Sequence, residues 1–320
     1  MKIVVLEAGV MTPGGLSLEV YKQFGEVIEY HTTKQEDVIE RIGDADIILL
    51  NKLIIDEKVM SACPNLKFIG LFATGFNTID VKYAAEHGIT VCNAGHYSTN
   101  AVAQHTMALI LNHYNRIADY HNAVQGGVWE RSALTTLYDF PTDELYGKTV
   151  GIIGYGHIGK RVAELCRAFG MRVIVHTRTP KEDTSVEFVS FDKLLEESDI
   201  ISMHCPLTSE NRLMMNREAI EKCKRKPLFV NTARGGLVDE AALKEAVETG
   251  HFSGAALDAI TVEPMRNCIL KGVPNITITP HCAWASMTTR KKLLDITVDC
   301  IKNWIEGHPI NVVSKKQHLD

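Results

Sequence analysis

Three residues have the types and positions to do polar chemistry beside a bound cofactor. They are Arg234 in Asn231-Thr232-Ala233-Arg234-Gly235-Gly236, Glu263 in Asp258-Ala259-Ile260-Thr261-Val262-Glu263-Pro264, and His281 in Thr279-Pro280-His281-Cys282. Each follows an apolar run that reads as a strand, and ligands of open α/β sheets bind beyond the carboxyl ends of strands. Singly, an arginine or glutamate in a loop is an ordinary solvated residue, and one histidine among thirteen is ordinarily structural. Together they suit hydride transfer on a 2-oxo acid. The guanidinium clamps a carboxylate and polarises the adjacent carbonyl. A protonated imidazole delivers a proton to the oxygen that becomes an alcohol while a nicotinamide delivers hydride to carbon. The acid holds the imidazole in place, and this matters because an unperturbed histidine is only about a quarter protonated at pH 7. A neighbouring carboxylate raises such a pKa by roughly one unit or more, at about 1.4 kcal/mol per unit.

The element that must position such a cofactor is Lys148-Thr149-Val150-Gly151-Ile152-Ile153-Gly154-Tyr155-Gly156-His157-Ile158-Gly159. An apolar run of strand length meets G-x-G-x-x-G just as the spacing turns helical at Val162, Leu165, Cys166 and Phe169. In such a turn the first glycine permits the bend, the second admits a pyrophosphate and the third lets helix and strand close. The start of the helix, His157 and Ile158, then presents N–H groups and partial positive charge to phosphates. About twenty residues beyond the first glycine, an Asp or Glu ordinarily binds the ribose 2′-hydroxyl. Here Thr177-Arg178-Thr179-Pro180-Lys181 supplies hydroxyls and cations instead. An arginine grips a 2′-phosphate that an acid repels, so NADP is expected in preference to NAD.

Composition narrows the remaining choices. At 320 residues the chain is expected to split into two domains, and 45% hydrophobic with 23% charged residues is ordinary for a soluble globular protein. A formal charge of −5 leaves no basic footprint for nucleic acid. Met1-Lys2-Ile3-Val4-Val5-Leu6 enters a strand directly and no segment stays apolar for about 18 residues, so a cytoplasmic protein without a membrane partner is expected. The eight cysteines include no C-x-x-C pair, which argues against structural zinc and a redox dithiol; no metal is expected.

Along the chain, strands are predicted at Lys2–Leu6, Glu26–Tyr30, Asp46–Leu50, Lys67–Leu71 and Ile89–Cys92, with helices near Leu16–Phe24, Gln35–Arg41, Asp56–Ala62 and Val81–Glu86. This alternation implies a parallel sheet covered on both faces. Turns at Asn51-Lys52 and Ala73-Thr74-Gly75 end two of those strands and are candidate ligand contacts. A helix over Thr99–Arg116, apolar on more than one face, suits a place between domains or subunits. Six strands follow: Thr149–Ile153, Arg172–His176, Ile200–His204, Leu228–Asn231, Gly254–Leu257 and Ile276–Thr279. A last helix, Thr288–Glu306, is expected to return to the first domain. The resulting division is a substrate domain over residues 1–98 plus 288–320 and a dinucleotide-binding domain over 99–287.

With these residues in view the sequence resembles the D-2-hydroxyacid dehydrogenase family, in particular its glycerate dehydrogenase or hydroxypyruvate reductase members. The matching stretches are Ala73-Thr74-Gly75, Asn93-Ala94-Gly95, Leu145-Tyr146-Gly147-Lys148-Thr149, His204-Cys205-Pro206-Leu207-Thr208, the 231–239 block, Thr279-Pro280-His281 and residues 301–313. The resemblance implies a Rossmann domain inserted into a flavodoxin-like α/β substrate domain, with a cleft that closes over cofactor and substrate. It implies catalytic positions for Arg234, Glu263 and His281. Asp258 would contact the nicotinamide amide, Thr106 would lie near it, and Cys205, Pro206, Thr232 and Ala233 would line the nucleotide groove. Backbone at Ala73, Thr74 and Gly75, with Lys52 nearby, would hold a substrate carboxylate, and Trp284 would shape the pocket. The helix after Asn100 would make a two-fold homodimer.

The chain departs from the commonest family pattern at Thr177-Arg178 in place of the ribose-binding acid, at Gln104 in place of Glu, and at Cys282, where an aliphatic residue is usual after the histidine. The leading expectation is an NADPH-dependent reductase of hydroxypyruvate or glyoxylate, forming D-glycerate or glycolate. Alternatives are a D-lactate-type or other D-2-hydroxyacid dehydrogenase using NAD and, in a different class, a dinucleotide-sensing interaction protein of the corepressor kind. Phosphoglycerate oxidation is less favoured, because enzymes for it often carry an added regulatory domain.

Overall fold

The computed structural model describes residues 1–179 and 182–314; Pro180 and Lys181, expected in the ribose loop, lie outside the described residues. The chain forms two units, one of Met1–Tyr97 with the segment from Ala285 onward, the other of Ser98–Trp284.

In the first unit, strands β1 (Lys2–Val5), β2 (Glu26–Glu29), β3 (Ile47–Leu50), β4 (Phe68–Leu71) and β5 (Thr90–Cys92) form a parallel sheet of order β2-β1-β3-β4-β5. That is the flavodoxin-like order. Residues 47–50 and 68–71 are buried throughout, as continuous apolar runs must be when both sheet faces are covered. Helices α1 (Val38–Ile42), α2 (Glu57–Ser61) and α3 (Val81–Glu86) lie between strands. Asp56 and Asp80 cap α2 and α3 by accepting the N–H groups of Val59 and Tyr83. The helix predicted near Leu16–Phe24 is instead a 3-10 turn over Glu19–Phe24, and that near Gln35–Arg41 begins as 3-10 over Gln35–Asp37. The tighter helix rises further per residue, which suits short connections that must reach the next strand at once.

The second unit opens with α4 (Thr99–Asn115) and α5 (Ile117–Gln125), followed by β6 (Thr149–Ile153), α6 (His157–Ala168), β7 (Arg172–His176), β8 (Glu187–Phe188), α7 (Phe191–Glu197), β9 (Ile200–Met203), α8 (Arg217–Glu221), β10 (Leu228–Asn231), α9 (Glu240–Glu248), β11 (Gly254–Leu257) and β12 (Ile276–Ile278). The sheet is parallel, in the order β12-β11-β10-β9-β6-β7-β8, a Rossmann arrangement extended by one strand. The seventh strand, β8, escapes the sequence reading because two residues at a sheet edge carry no periodic pattern. Strand order reverses between β6 and β9, and the crevice at such a switch point is where dinucleotides bind.

The long helix runs as expected, and a second helix that the sequence reading did not resolve follows it at once. Arg116 adopts a left-handed conformation, φ 52° and ψ 34°, and divides α4 from α5. The apolar surface of α4, including Ala103, Met107, Leu109 and Ile110, packs with Val162, Ala163 and Cys166 of α6 in one core under the sheet of its own unit.

The last helix, α10 (Met287–Ile305), is part of the first unit. Trp304 lies 5.1 Å from the ring of Phe68 on β4, Thr297 shares a 2.5 Å hydrogen bond with the buried Tyr21 hydroxyl, and Arg290 donates to the Met11 carbonyl at 2.9 Å. Among the described residues no helix is long and apolar enough to cross a membrane.

Candidate active site

The carboxyl ends of β6, β9, β10, β11 and β12 form one edge of the second sheet, and most of the singled-out residues lie there. At β6 the fingerprint turn is made by Gly154, whose φ of +95° is left-handed; a Cβ there would stand 2.7 Å from the backbone of His204 and Cys205. A Cβ on Gly159 would stand 2.1 Å from the Gly154 carbonyl oxygen, so α6 closes on the end of β6 only because Gly159 lacks a side chain. Around Gly156 there is open space, and no side chain caps the helix start at His157. An exposed, uncapped helix N-terminus behind an open glycine fits a pyrophosphate. Cys205 and Pro206 continue from β9, and Asn211 donates to the Pro206 carbonyl at 2.7 Å.

Beyond β7, Thr177 is half-buried while Thr179 is exposed. Arg178 is exposed, with Glu210 as an outlying partner at 3.8 Å. The acid of this loop is committed elsewhere: Asp183 accepts from Tyr155 at 2.9 Å and from Ser185, and Lys160 lies 3.6 Å away. The Ser185 hydroxyl and N–H, with Tyr155, hold its carboxyl well below the usual range.

After β10, the buried Asn231 side chain accepts the Ala233 N–H and donates to the Arg234 carbonyl, both at 2.9 Å. This shapes the turn that presents Arg234 to solvent, its guanidinium resting on the Ala233 carbonyl at 2.8 Å. Thr232 meets the wholly buried Thr106 of α4 at 3.1 Å.

After β11 comes Asp258, 3% exposed, whose carboxylate accepts the Thr279 hydroxyl at 2.6 Å and the N–H groups of Cys282 and Ala283, each at 2.9 Å. One carboxylate thus pins the whole turn that follows β12. His281 in that turn has φ 53°, an unusual backbone for a non-glycine residue, held by these bonds. Its Nδ1 lies 2.7 Å from Glu263 Oε2, while Oε1 of the same glutamate receives the Ile260 N–H at 3.2 Å. Because Nδ1 faces a carboxylate it carries a proton, which leaves Nε2 as the nitrogen free to exchange one. Trp284, three residues further on, is half-buried.

Sequence reasoning missed His105. From α4 its Nε2 reaches Thr279 Oγ1 at 3.0 Å and lies 3.6 Å from Asp258 Oδ1. No spacing rule links residues 105, 258 and 279, so only the fold reveals the contact.

The first unit presents its own loops. Glu7, at the end of β1, accepts the N–H groups of Asn51 and Lys52 at 2.6 and 2.8 Å, fixing the turn that carries Lys52. Asn93 donates to the Thr74 carbonyl at 2.7 Å, and the Thr74 hydroxyl donates to Gly95, tying Ala73-Thr74-Gly75 to the end of β5.

A parallel Rossmann sheet with an open glycine turn and an acid-histidine pair on the same edge defines a nicotinamide-dinucleotide-dependent oxidoreductase. The family model for the NAD-binding domain of D-isomer specific 2-hydroxyacid dehydrogenases matches residues 107–283, and the chain belongs to that family. It is 39% identical over 322 residues to a hydroxypyruvate reductase of Blautia hydrogenotrophica, covering 98% of this chain and all of that one. It is 37% identical to a glycerate dehydrogenase of Methylorubrum extorquens, covering 90% and 92% of the two chains. The crystal structure of an NADPH-dependent glyoxylate/hydroxypyruvate reductase from Sinorhizobium meliloti is similar with a TM-score of 0.85 at 28% identity, covering 99% of this chain and 98% of that one.

Proposed function

We propose that this chain reduces a small 2-oxo acid, hydroxypyruvate or glyoxylate, to D-glycerate or glycolate, with NADPH preferred over NADH. The observation that carries the reading is the 2.7 Å pairing of His281 with Glu263 on the sheet edge that also bears the open glycine turn. The names of the relatives in Blautia and Methylorubrum support the substrate class, and the cofactor named for the Sinorhizobium enzyme supports NADPH.

Gly154, Gly156, His157, Ile158 and Gly159 hold the pyrophosphate; Thr177, Arg178 and Thr179 take the 2′-phosphate; Cys205, Pro206, Thr232 and Ala233 line the groove. Asp258 and Thr106 serve the nicotinamide end. When bound, the reduced nicotinamide supplies the hydride. Arg234 anchors the substrate carboxylate and draws electron density from the carbonyl. His281 gives its Nε2 proton to the carbonyl oxygen, and Glu263 stabilises the imidazolium that must exist beforehand. The first unit acts as the substrate domain, with Lys52, Ala73, Thr74 and Gly75 receiving the carboxylate, and Trp284 shapes the pocket. A homodimer formed through the helix after Asn100 completes the reading.

A panel of hydroxypyruvate, glyoxylate, pyruvate and branched 2-oxo acids, each run with NADPH and NADH, tests this. Highest kcat/KM for hydroxypyruvate or glyoxylate with NADPH is expected. A preference for NADH would overturn the cofactor assignment, and dinucleotide binding without turnover of any 2-oxo acid would leave a sensor.

A further inference from the structure

Cys282, the chain's departure from the family pattern, shares its surroundings with two residues from distant parts of the sequence. One potential ligand atom each from His105, Asp258 and Cys282 lies within 4.8 Å of the others, and the His105 Nε2 to Asp258 Oδ1 separation is 3.6 Å. Around a tetrahedral zinc with bonds of about 2.0–2.3 Å, ligand atoms stand roughly 3.3–3.7 Å apart, so small side-chain adjustments suffice. All three belong to the second unit. The donor set of imidazole, carboxylate and thiol favours soft or borderline d10 cations over magnesium or calcium, which prefer all-oxygen sites.

We propose that His105, Asp258 and Cys282 form a binding site for one thiophilic divalent cation, zinc or cadmium, and that the bound cation and the dinucleotide exclude each other. The second half rests on the reading of Asp258 as a nicotinamide contact. The Thr279 hydroxyl, 3.0 Å from His105 Nε2 and 2.6 Å from Asp258 Oδ1, bridges the two groups. On metal binding it becomes a neutral fourth donor or yields that position to water. His105 moves its proton to Nδ1 and binds through Nε2. Cys282 releases its thiol proton to solvent and binds as thiolate. No C-x-x-C or His-x-His spacing announces the site, because the donors come from α4 and from the turns after β11 and β12.

Cadmium titration of the whole protein reads the site through its sulfur-to-cadmium ultraviolet absorption, with no need of turnover. Wild-type protein is expected to show one equivalent of absorbance that Cys282→Ala lacks and His105→Asn reaches only at higher cadmium. Losing even an outer-shell partner typically weakens a metal site 10- to 100-fold, so zinc inhibition of Cys282→Ala should be weaker by about 100-fold or more. Inhibition of the wild type should be reversed by EDTA and competitive with NADPH, while Cys282→Ala turns over at the normal rate without zinc. Equal cadmium absorbance and zinc sensitivity in wild type and Cys282→Ala would overturn the site. A cadmium band that depends on Cys282 but persists under saturating NADPH would sink the exclusion while leaving the metal site standing. Failure of the function reading would appear separately, as absent turnover in metal-free wild-type protein.

Discussion

His281 Nδ1 and Glu263 Oε2 lie 2.7 Å apart although 18 residues separate them in the chain, and each side chain is about one quarter exposed, 25% and 24%. The bond fixes both the plane of the imidazole and the nitrogen that faces outward. Replacement of His281 by Asn is expected to lower kcat by roughly 10²- to 10⁴-fold, the usual worth of a general acid, with dinucleotide affinity unchanged by fluorescence titration. Glu263→Gln keeps a hydrogen-bonding partner but removes the charge, and should lower kcat by less than His281→Asn does. Wild-type turnover in either variant would remove the proton-transfer assignment.

Arg178 stands exposed beyond β7 while the nearby acid, Asp183, is held by Ser185, Tyr155 and Lys160. A charged hydrogen bond to a 2′-phosphate is worth about 1.5–3 kcal/mol, which corresponds to roughly 10- to 100-fold in affinity. Arg178→Ala should therefore raise KM for NADPH by that factor and leave KM for NADH nearly unchanged. Equal effects on both cofactors would show that the guanidinium does not read the phosphate.

The contact of Gly159 with the Gly154 carbonyl leaves no space for a methyl group, since a Cβ would lie 2.1 Å from that oxygen. Gly159→Ala is expected to push α6 from β6, abolish measurable dinucleotide binding and lower the melting temperature by several degrees. Retained NADPH binding in isothermal titration would mean that the turn tolerates the shift.

Burial depresses two imidazoles in the second unit: His113 to about 4, with the Arg116 charge adding to the effect, and His204 further still. An unfolded histidine titrates near 6.5, so as pH falls below about 6.5 the unfolded chain takes up protons that the folded chain refuses. Stability present above that pH is then lost progressively. The melting temperature should fall between pH 6.5 and 5, before carboxylates with depressed values such as Glu187, held at about 2 by Arg172 and Lys193, begin to contribute. His113→Asn should flatten the slope in that window; an unchanged slope would point to other groups.

Much of this protein was legible in the order of its residues. Apolar runs of four or five residues fall at nearly every strand because parallel strands covered on both faces need no polar alternation, and the local chemistry of Gly154, Gly156 and Gly159 announces a strand, a tight turn and a helix. Arg234, Glu263 and His281 were visible as residues beyond strand ends because β10, β11 and β12 are short, sharply bounded apolar runs, whereas Asp258 entered only through the family resemblance. The edge strand β8 and the helix α5 were not, since two residues carry no period and α5 buries no residue that would mark it as a core-facing helix.

Sequence alone thus determined the two α/β patterns, the glycine turn and the kinds of side chain available for chemistry, all of which follow from neighbours a few positions apart. Only the tertiary structure decided that Nδ1 of His281 faces Glu263, that one buried Asp258 pins the turn beneath it, and that His105 joins Asp258 and Cys282. Those contacts depend on the register of parallel strands joined by long crossovers, and hydrogen bonds of fixed length form only after that register is set.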